Sequence, residues 1–251
     1  GCMVMENVSD GSILAIANYP SYDNGLFLAS SSDKKAQEAI EGLFQNPDSP
    51  SLNRATQGLY PVGSTFKPIT AIAALESGKI SGRWQSFECR GKLILEGMEH
   101  KCLGVHGILS MDRAFAVSCN SYFQQCALQE GVGVEHIDKW AKAFGLGEKT
   151  GIEISEYAGY RSNKETMALK ETDKTHVWGM SDTAQTAIGQ LYTQFTPLQL
   201  CNYAAALGNG GYLNTPTLLQ CVKSPDGTVL QTGEVKRQKI DIQDETLATV
   251  K

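Results

Sequence analysis

A chain of 251 residues, 41% hydrophobic and 20% charged, carries enough apolar material for one globular domain. The formal net charge of −5, with lysines and arginines dispersed, offers no basic stripe and excludes nucleic-acid binding from the expected functions. No apolar run reaches the roughly 18 residues of a membrane span, and the first residues lack a basic-then-apolar export signal, so a membrane anchor is expected outside this chain.

In chain order, Met3-Val4-Met5 and Ile13-Leu14-Ala15-Ile16-Ala17 flank Asp10-Gly11 and predict a β-hairpin. The polar stretch 19–51 predicts a surface excursion around one helix, 34–44. Gly63 then precedes Ser64-Thr65-Phe66-Lys67-Pro68, followed by the apolar run Ile69 to Leu75. Proline is tolerated in a first helical turn, so Ser64 is placed at a helix start, where free backbone N–H groups favour developing negative charge. Lys67, three residues on, lies on the same face and can take the serine's proton. On its own this motif reads more readily as a capping serine with a solvated lysine.

The region 87–107 is dense in Cys, His, Gly and Lys with weak periodicity and reads as a loop that needs another source of order. Residues 111–129 resume a helical pattern, with Ala114, Phe115, Val117, Tyr122, Phe123 and Leu128 as core positions and Ser118-Cys119-Asn120 inside it. Further helices are predicted over 136–144, closed by Gly145, over 183–190, and over 197–207. The last has Thr196 as cap, Pro197 in the first turn and Asn209-Gly210-Gly211 as terminator. A second hairpin is expected around Pro225-Asp226-Gly227.

Ser64-x-x-Lys67 followed some fifty residues later by Ser118-x-Asn120 is the motif order of penicillin-recognising enzymes. Several blocks extend the likeness. They are Gly11-Ser12-Ile13-Leu14-Ala15 with Pro20, Ser118-Cys119-Asn120-Ser121-Tyr122-Phe123, Ala187-Ile188-Gly189-Gln190, Thr196-Pro197-Leu198-Gln199-Leu200 and Asn209-Gly210-Gly211. With these the chain resembles the transpeptidase domain of class B penicillin-binding proteins from end to end.

The resemblance implies an α+β fold, β-lactamase/transpeptidase-like, with helices packed on an antiparallel sheet. It implies a peptidoglycan D,D-transpeptidase in which Ser64 is acylated by a D-Ala-D-Ala stem peptide, Lys67 is the base, Ser118 shuttles the proton and Asn120 holds the acyl peptide group. β-Lactams would acylate the same serine. The expected setting is the extracytoplasmic face of a bacterial membrane, with peptidoglycan stem peptides as substrates and cell-wall synthesis proteins as partners.

The family's third motif, K-[ST]-G, is expected after the late hairpin, beyond Lys251. On that reading 1–251 is one transpeptidase domain, incomplete at its C-terminal end before the inner K-[ST]-G strand. Lys149-Thr150-Gly151 spells the motif but stands in a turn-rich stretch too early in the chain, and Ser181-Asp182-Thr183 reads as a helix cap. Two other functions stay open: a D,D-carboxypeptidase or β-lactamase with water as acceptor, and a non-catalytic β-lactam sensor or scaffold.

Cys89, Cys102, His106 and Cys119 form C-x12-C-x3-H-x12-C, a donor set that suits tetrahedral structural zinc. No cofactor is expected for catalysis. A Cys89–Cys102 disulfide and plain buried thiols are the alternatives. His100 is a spare donor, expected to be exposed.

Overall fold

The structure, a computed structural model, describes residues 1–28 and 33–251. Residues 29–32 of the polar stretch after the first hairpin lie outside the described residues.

The opening hairpin pairs Cys2–Glu6 with Ile13–Asn18 antiparallel, Met3 opposite Ala17 and Met5 opposite Ala15, with a bulge before Glu6. It lies against the helix Pro197–Gly208. That helix begins as the sequence predicts: the Thr196 hydroxyl accepts from Gln199 N, and the Gln199 side chain accepts from Thr196 N at 2.9 Å.

The hub of the core is the helix Lys67–Glu76. Ile69, Ala71, Ile72, Ala73 and Ala74 are fully buried, so this helix is apolar around nearly its whole circumference. Helices Asn120–Ala127, Gly133–Ala143 and Asp244–Val250 pack around it. Phe66, Met111, Tyr122, Phe123, Ile137, Phe144 and Phe195 fill the same cluster. The Gly133–Ala143 helix ends at Gly145, whose φ of +77° lets Gly145 N and Leu146 N reach back to the carbonyls of Lys142 and Ala141.

Two expectations need correction. The helical pattern over 111–129 is two helices, Met111–Ala116 and Asn120–Ala127, because Ser118 adopts a left-handed φ of +50° and turns the chain between them. The expected loop over 87–107 contains two antiparallel pairs, Phe87–Cys89 with Gly107–Leu109 and Lys92–Leu95 with Met98–Lys101. These strands are too short to show periodicity, and the second pair turns at Glu96-Gly97, both with positive φ, where the glycine is the only turn signal in the sequence.

Among the described residues every β-ladder is two-stranded, including the late hairpin Cys221–Lys223 with Val229–Thr232. The architecture is α+β. No described helix is long and apolar enough to cross a membrane.

Candidate active site

Ser64 is exposed, on a 3-10 turn, Gly63–Phe66, that runs directly into the Lys67 helix. The turn is clamped from behind. Gly63 N donates to Gly189 O at 3.0 Å, Thr70 Oγ1 donates to Ala187 O at 2.7 Å, and Tyr203 OH donates to Thr65 O at 3.3 Å. Gly189 has a φ of +70°, and a Cβ there would stand 2.3 Å from Gly63 O. Only glycine lets that backbone approach so closely.

Lys67 starts the helix with its side chain buried. Its ammonium donates to Ser118 O at 2.7 Å, Ser118 Oγ at 2.9 Å and Asn120 Oδ1 at 2.8 Å, and it lies 5.6 Å from the centre of the Phe123 ring. Ser118 Oγ in turn donates to Ser64 Oγ at 3.0 Å. The link from Ser64 to Lys67 therefore passes through Ser118. Asn120 Nδ2 donates to Lys101 O at 3.3 Å, which ties the amide to the strand pair in front of it. Burial pushes the Lys67 ammonium down to about 8, while charge on the neighbouring Cys102 and Cys119 sulfurs pulls the other way. A lysine at that position can release its proton near neutral pH.

The four residues singled out for a metal also meet. Cys89 ends one short strand, Cys102 follows the next pair, His106 precedes the return strand, and Cys119 is the N-cap of the Asn120 helix. Their donor atoms lie within 4.8 Å of one another. Cys89 Sγ and Cys102 Sγ stand 3.5 and 3.6 Å from His106 Nδ1, and Cys102 Sγ stands 3.7 Å from Cys119 Sγ. A tetrahedron with ordinary zinc–sulfur and zinc–nitrogen bonds has edges of about 3.8 Å between sulfurs and about 3.5 Å between sulfur and nitrogen. The donor set fits that ion in type and number, and these three separations match its edges. All seven cysteines are free.

The remaining sequence candidates fall elsewhere. Lys149-Thr150-Gly151 is a loop, not a strand, with Thr150 N, Thr150 Oγ1 and Gly151 N all donating to the Glu156 carboxylate. Asp182 accepts from Gly179 N at 2.8 Å and caps its helix. Glu153 accepts from Thr217 and Leu218. His100, expected to be exposed, is half-buried because its Nε2 meets Ser181 Oγ at 2.6 Å. Sequence reasoning missed Phe123 under the ammonium, Lys101 O against Asn120, and the role of Gly189. The Ala187-to-Gln190 block was visible, but nothing in it says that it wedges the turn carrying Ser64.

A serine at the head of a buried helix, its lysine three residues on, and a Ser-x-Asn turn facing both, all in an α+β frame, define a penicillin-recognising serine fold. A sequence model of the penicillin-binding protein transpeptidase domain matches residues 1–251, and the chain belongs to that family. It is 34% identical over 239 residues to the peptidoglycan D,D-transpeptidase MrdA of Haemophilus influenzae, covering 93% of this chain and 35% of that protein. It is 31% identical to the peptidoglycan D,D-transpeptidase PbpA of Mycolicibacterium smegmatis, covering 100% of this chain and 49% of that one. The chain thus spans between a third and a half of the length of these relatives. Penicillin-binding protein A from M. tuberculosis, solved as a ceftriaxone acyl-enzyme, superposes with a TM-score of 0.83 at 30% identity, over 99% of this chain and 54% of that one.

Proposed function

We propose that residues 1–251 act as a serine D,D-transpeptidase domain in which Ser64 is the acylated nucleophile. The observation that carries this reading is the continuous chain from Ser64 through Ser118 to Lys67 and Asn120, each link 2.8 to 3.0 Å. With Lys67 neutral the chain reverses. Ser64 gives its proton to Ser118 as Ser118 gives its own to Lys67, and the freed Ser64 Oγ attacks the carbonyl of a D-Ala-D-Ala bond.

Ser64 N, at the head of the helix, faces the developing oxyanion, and Asn120 holds the acyl peptide group. Lys67 returns the proton through Ser118 to the departing D-alanine amine. The amine of a neighbouring stem peptide then repeats the attack on the acyl-enzyme. The M. tuberculosis acyl-enzyme supports β-lactams as pseudo-substrates. The MrdA and PbpA names support peptidoglycan as the substrate, and an extracytoplasmic site of action and cell-wall synthesis partners are proposed with it.

Cys89, Cys102, His106 and Cys119 are proposed to hold one structural zinc ion, which supplies cross-linking and no chemistry on the substrate. Through Cys119 it anchors the segment that carries Ser118 and Asn120.

The test is intact-mass spectrometry after a penicillin pulse, with peptide mapping and metal analysis on the same sample. A stable adduct on Ser64, absent in Ser64→Ala, and one zinc per chain are expected. No adduct overturns the transpeptidase reading, and rapid loss of an adduct marks a β-lactamase. A chain free of zinc overturns the metal reading.

A further inference from the structure

We propose that Cys102 and Cys119 form a reversible disulfide that pulls Ser118 and Asn120 away from Lys67, which makes the thiol cluster an oxidant-responsive modification site. The proposal rests on the reading of Ser118 and Asn120 as active-site groups and adds a means of controlling them.

The two sulfurs stand 3.7 Å apart, in direct contact. Cys102 is half-buried and gives a small oxidant entry, whereas Cys119 and Cys89 are 0% and 1% exposed. Cys89 Sγ is directed instead to Gly104 O at 3.4 Å and to His106 Nδ1.

A disulfide holds its sulfurs about 2.05 Å apart, so the pair must close by more than about 1.5 Å. Both ends of that movement touch the site. Cys119 lies between Ser118 and Asn120, and its Sγ caps Tyr122 N at 3.4 Å. Cys102 follows Lys101, whose carbonyl accepts from the Asn120 amide. Whichever sulfur moves, Asn120 is displaced. Ser118 sits in the left-handed region, unfavourable for a residue with a Cβ, and its bonds to Lys67 and Ser64 hold it there.

The chemistry balances with a peroxide. The Cys102 sulfur attacks a peroxide oxygen, which gives a sulfenic acid and releases water. The Cys119 sulfur then attacks the Cys102 sulfur, the S–S bond forms, and a second water leaves. The two sulfurs give up two electrons and one hydrogen peroxide becomes two waters, the two protons coming from the thiols or, where a metal holds the sulfurs as thiolates, from solvent. A metal held by the cluster loses two of its four donors, and a dithiol reductant reverses the bond by exchange.

The experiment treats reduced, zinc-loaded protein with hydrogen peroxide and then with dithiothreitol. It follows the Cys102–Cys119 linkage by peptide mapping, zinc release, hydrogen exchange over 118–122 and the rate of penicillin acylation. The expected result is the linked peptide, released zinc, faster exchange, and acylation slowed about tenfold to a hundredfold, the scale of a displacement near 1 Å. All of these should be restored by dithiothreitol and unchanged by replacing Cys2, Cys201 and Cys221 with serine.

A linkage through Cys89 instead, or a Cys102–Cys119 linkage that leaves exchange and acylation unaltered, overturns the proposal. If the reduced protein is not acylated at all, the transpeptidase reading fails while the linkage and exchange results still decide this one. If the reduced protein holds no zinc, only the metal reading fails.

Discussion

The helix Lys67–Glu76 and the segment 87–109 lie on either side of the same site and are ordered by different physics. The helix is sealed on nearly all sides by Ile69, Ile72 and their neighbours, so apolar burial fixes it. The segment is a pair of small ladders with Ile94, Leu103, Val105 and Ile108 at least 62% exposed, too little buried surface to hold itself together. What it has instead is four side chains converging on one point. Ser64 therefore stands at the head of the part that hydrophobicity secures, and Ser118 and Asn120 stand where that core, through Tyr122 and Phe123, meets the part that a few soft donors secure. The first should tolerate chemical insult, and the second should register it.

The contrast can be tested at several strengths. The largest effect is expected at the seam. Lys67→Met should slow penicillin acylation about 10²- to 10⁴-fold, the range for a lost general base. Acylation by the unaltered chain should rise from pH 7 towards 9 as Lys67 deprotonates around 8, and the variant should be flat across that range. A parallel rise in the variant would remove Lys67 from the base role.

Next, Ile72→Ala in the sealed helix should cost about 2 to 5 kcal/mol by denaturant unfolding. Ile94→Ala in the segment, at 62% exposure, should stay within about 0.5 kcal/mol. Equal costs would erase the distinction between the two regions.

A smaller effect concerns Glu6, a buried carboxylate at the end of the first strand, neither oxygen of which has a hydrogen-bond partner among the described residues. Burial pushes its pKa up to about 7, with the Asn214 amide opposing and Asp10 adding. A raised acid favours the protonated fold, so its contribution is full below the unfolded value near 4.5 and lost as pH rises through about 7. Glu6→Gln should flatten that decline and raise the melting temperature at pH 8, an effect of about 1 to 2 kcal/mol. A decline with pH that persists in the variant would assign it to another group. The result shows how a region sealed by burial handles a polar group without partners.

What the sequence revealed follows the same division. Elements whose order is local were legible: the Thr196-Pro197 helix start, the Gly145 stop and the two hairpin turns each carry their own chemistry. The spacing of Ser64 and Lys67 was legible too, but that their link runs through Ser118 was not. The break at Ser118 was not, since its left-handed backbone is held by bonds to Lys67 from fifty-one residues away. The ladders of 87–109 were also hidden, because strands of three and four residues give no pattern and their order comes from side chains that meet only in space. The four metal candidates were nonetheless nameable from residue type, and the structure brings their donor atoms together. His100 was misjudged because Ser181, its partner, comes from a distant helix.

The wedge at Gly189 assigns part of the address of Ser64 to the far half of the chain. A piece ending near residue 130 would contain Ser64, Lys67, Ser118 and Asn120, yet it would lack the Gly189 carbonyl that receives Gly63 N and the Ala187 carbonyl that receives Thr70. It would hold all four residues proposed for catalysis but lack two of the bonds that clamp the turn carrying Ser64. During synthesis, then, the serine is made early but is set in position only after the 187–190 turn has emerged and folded back.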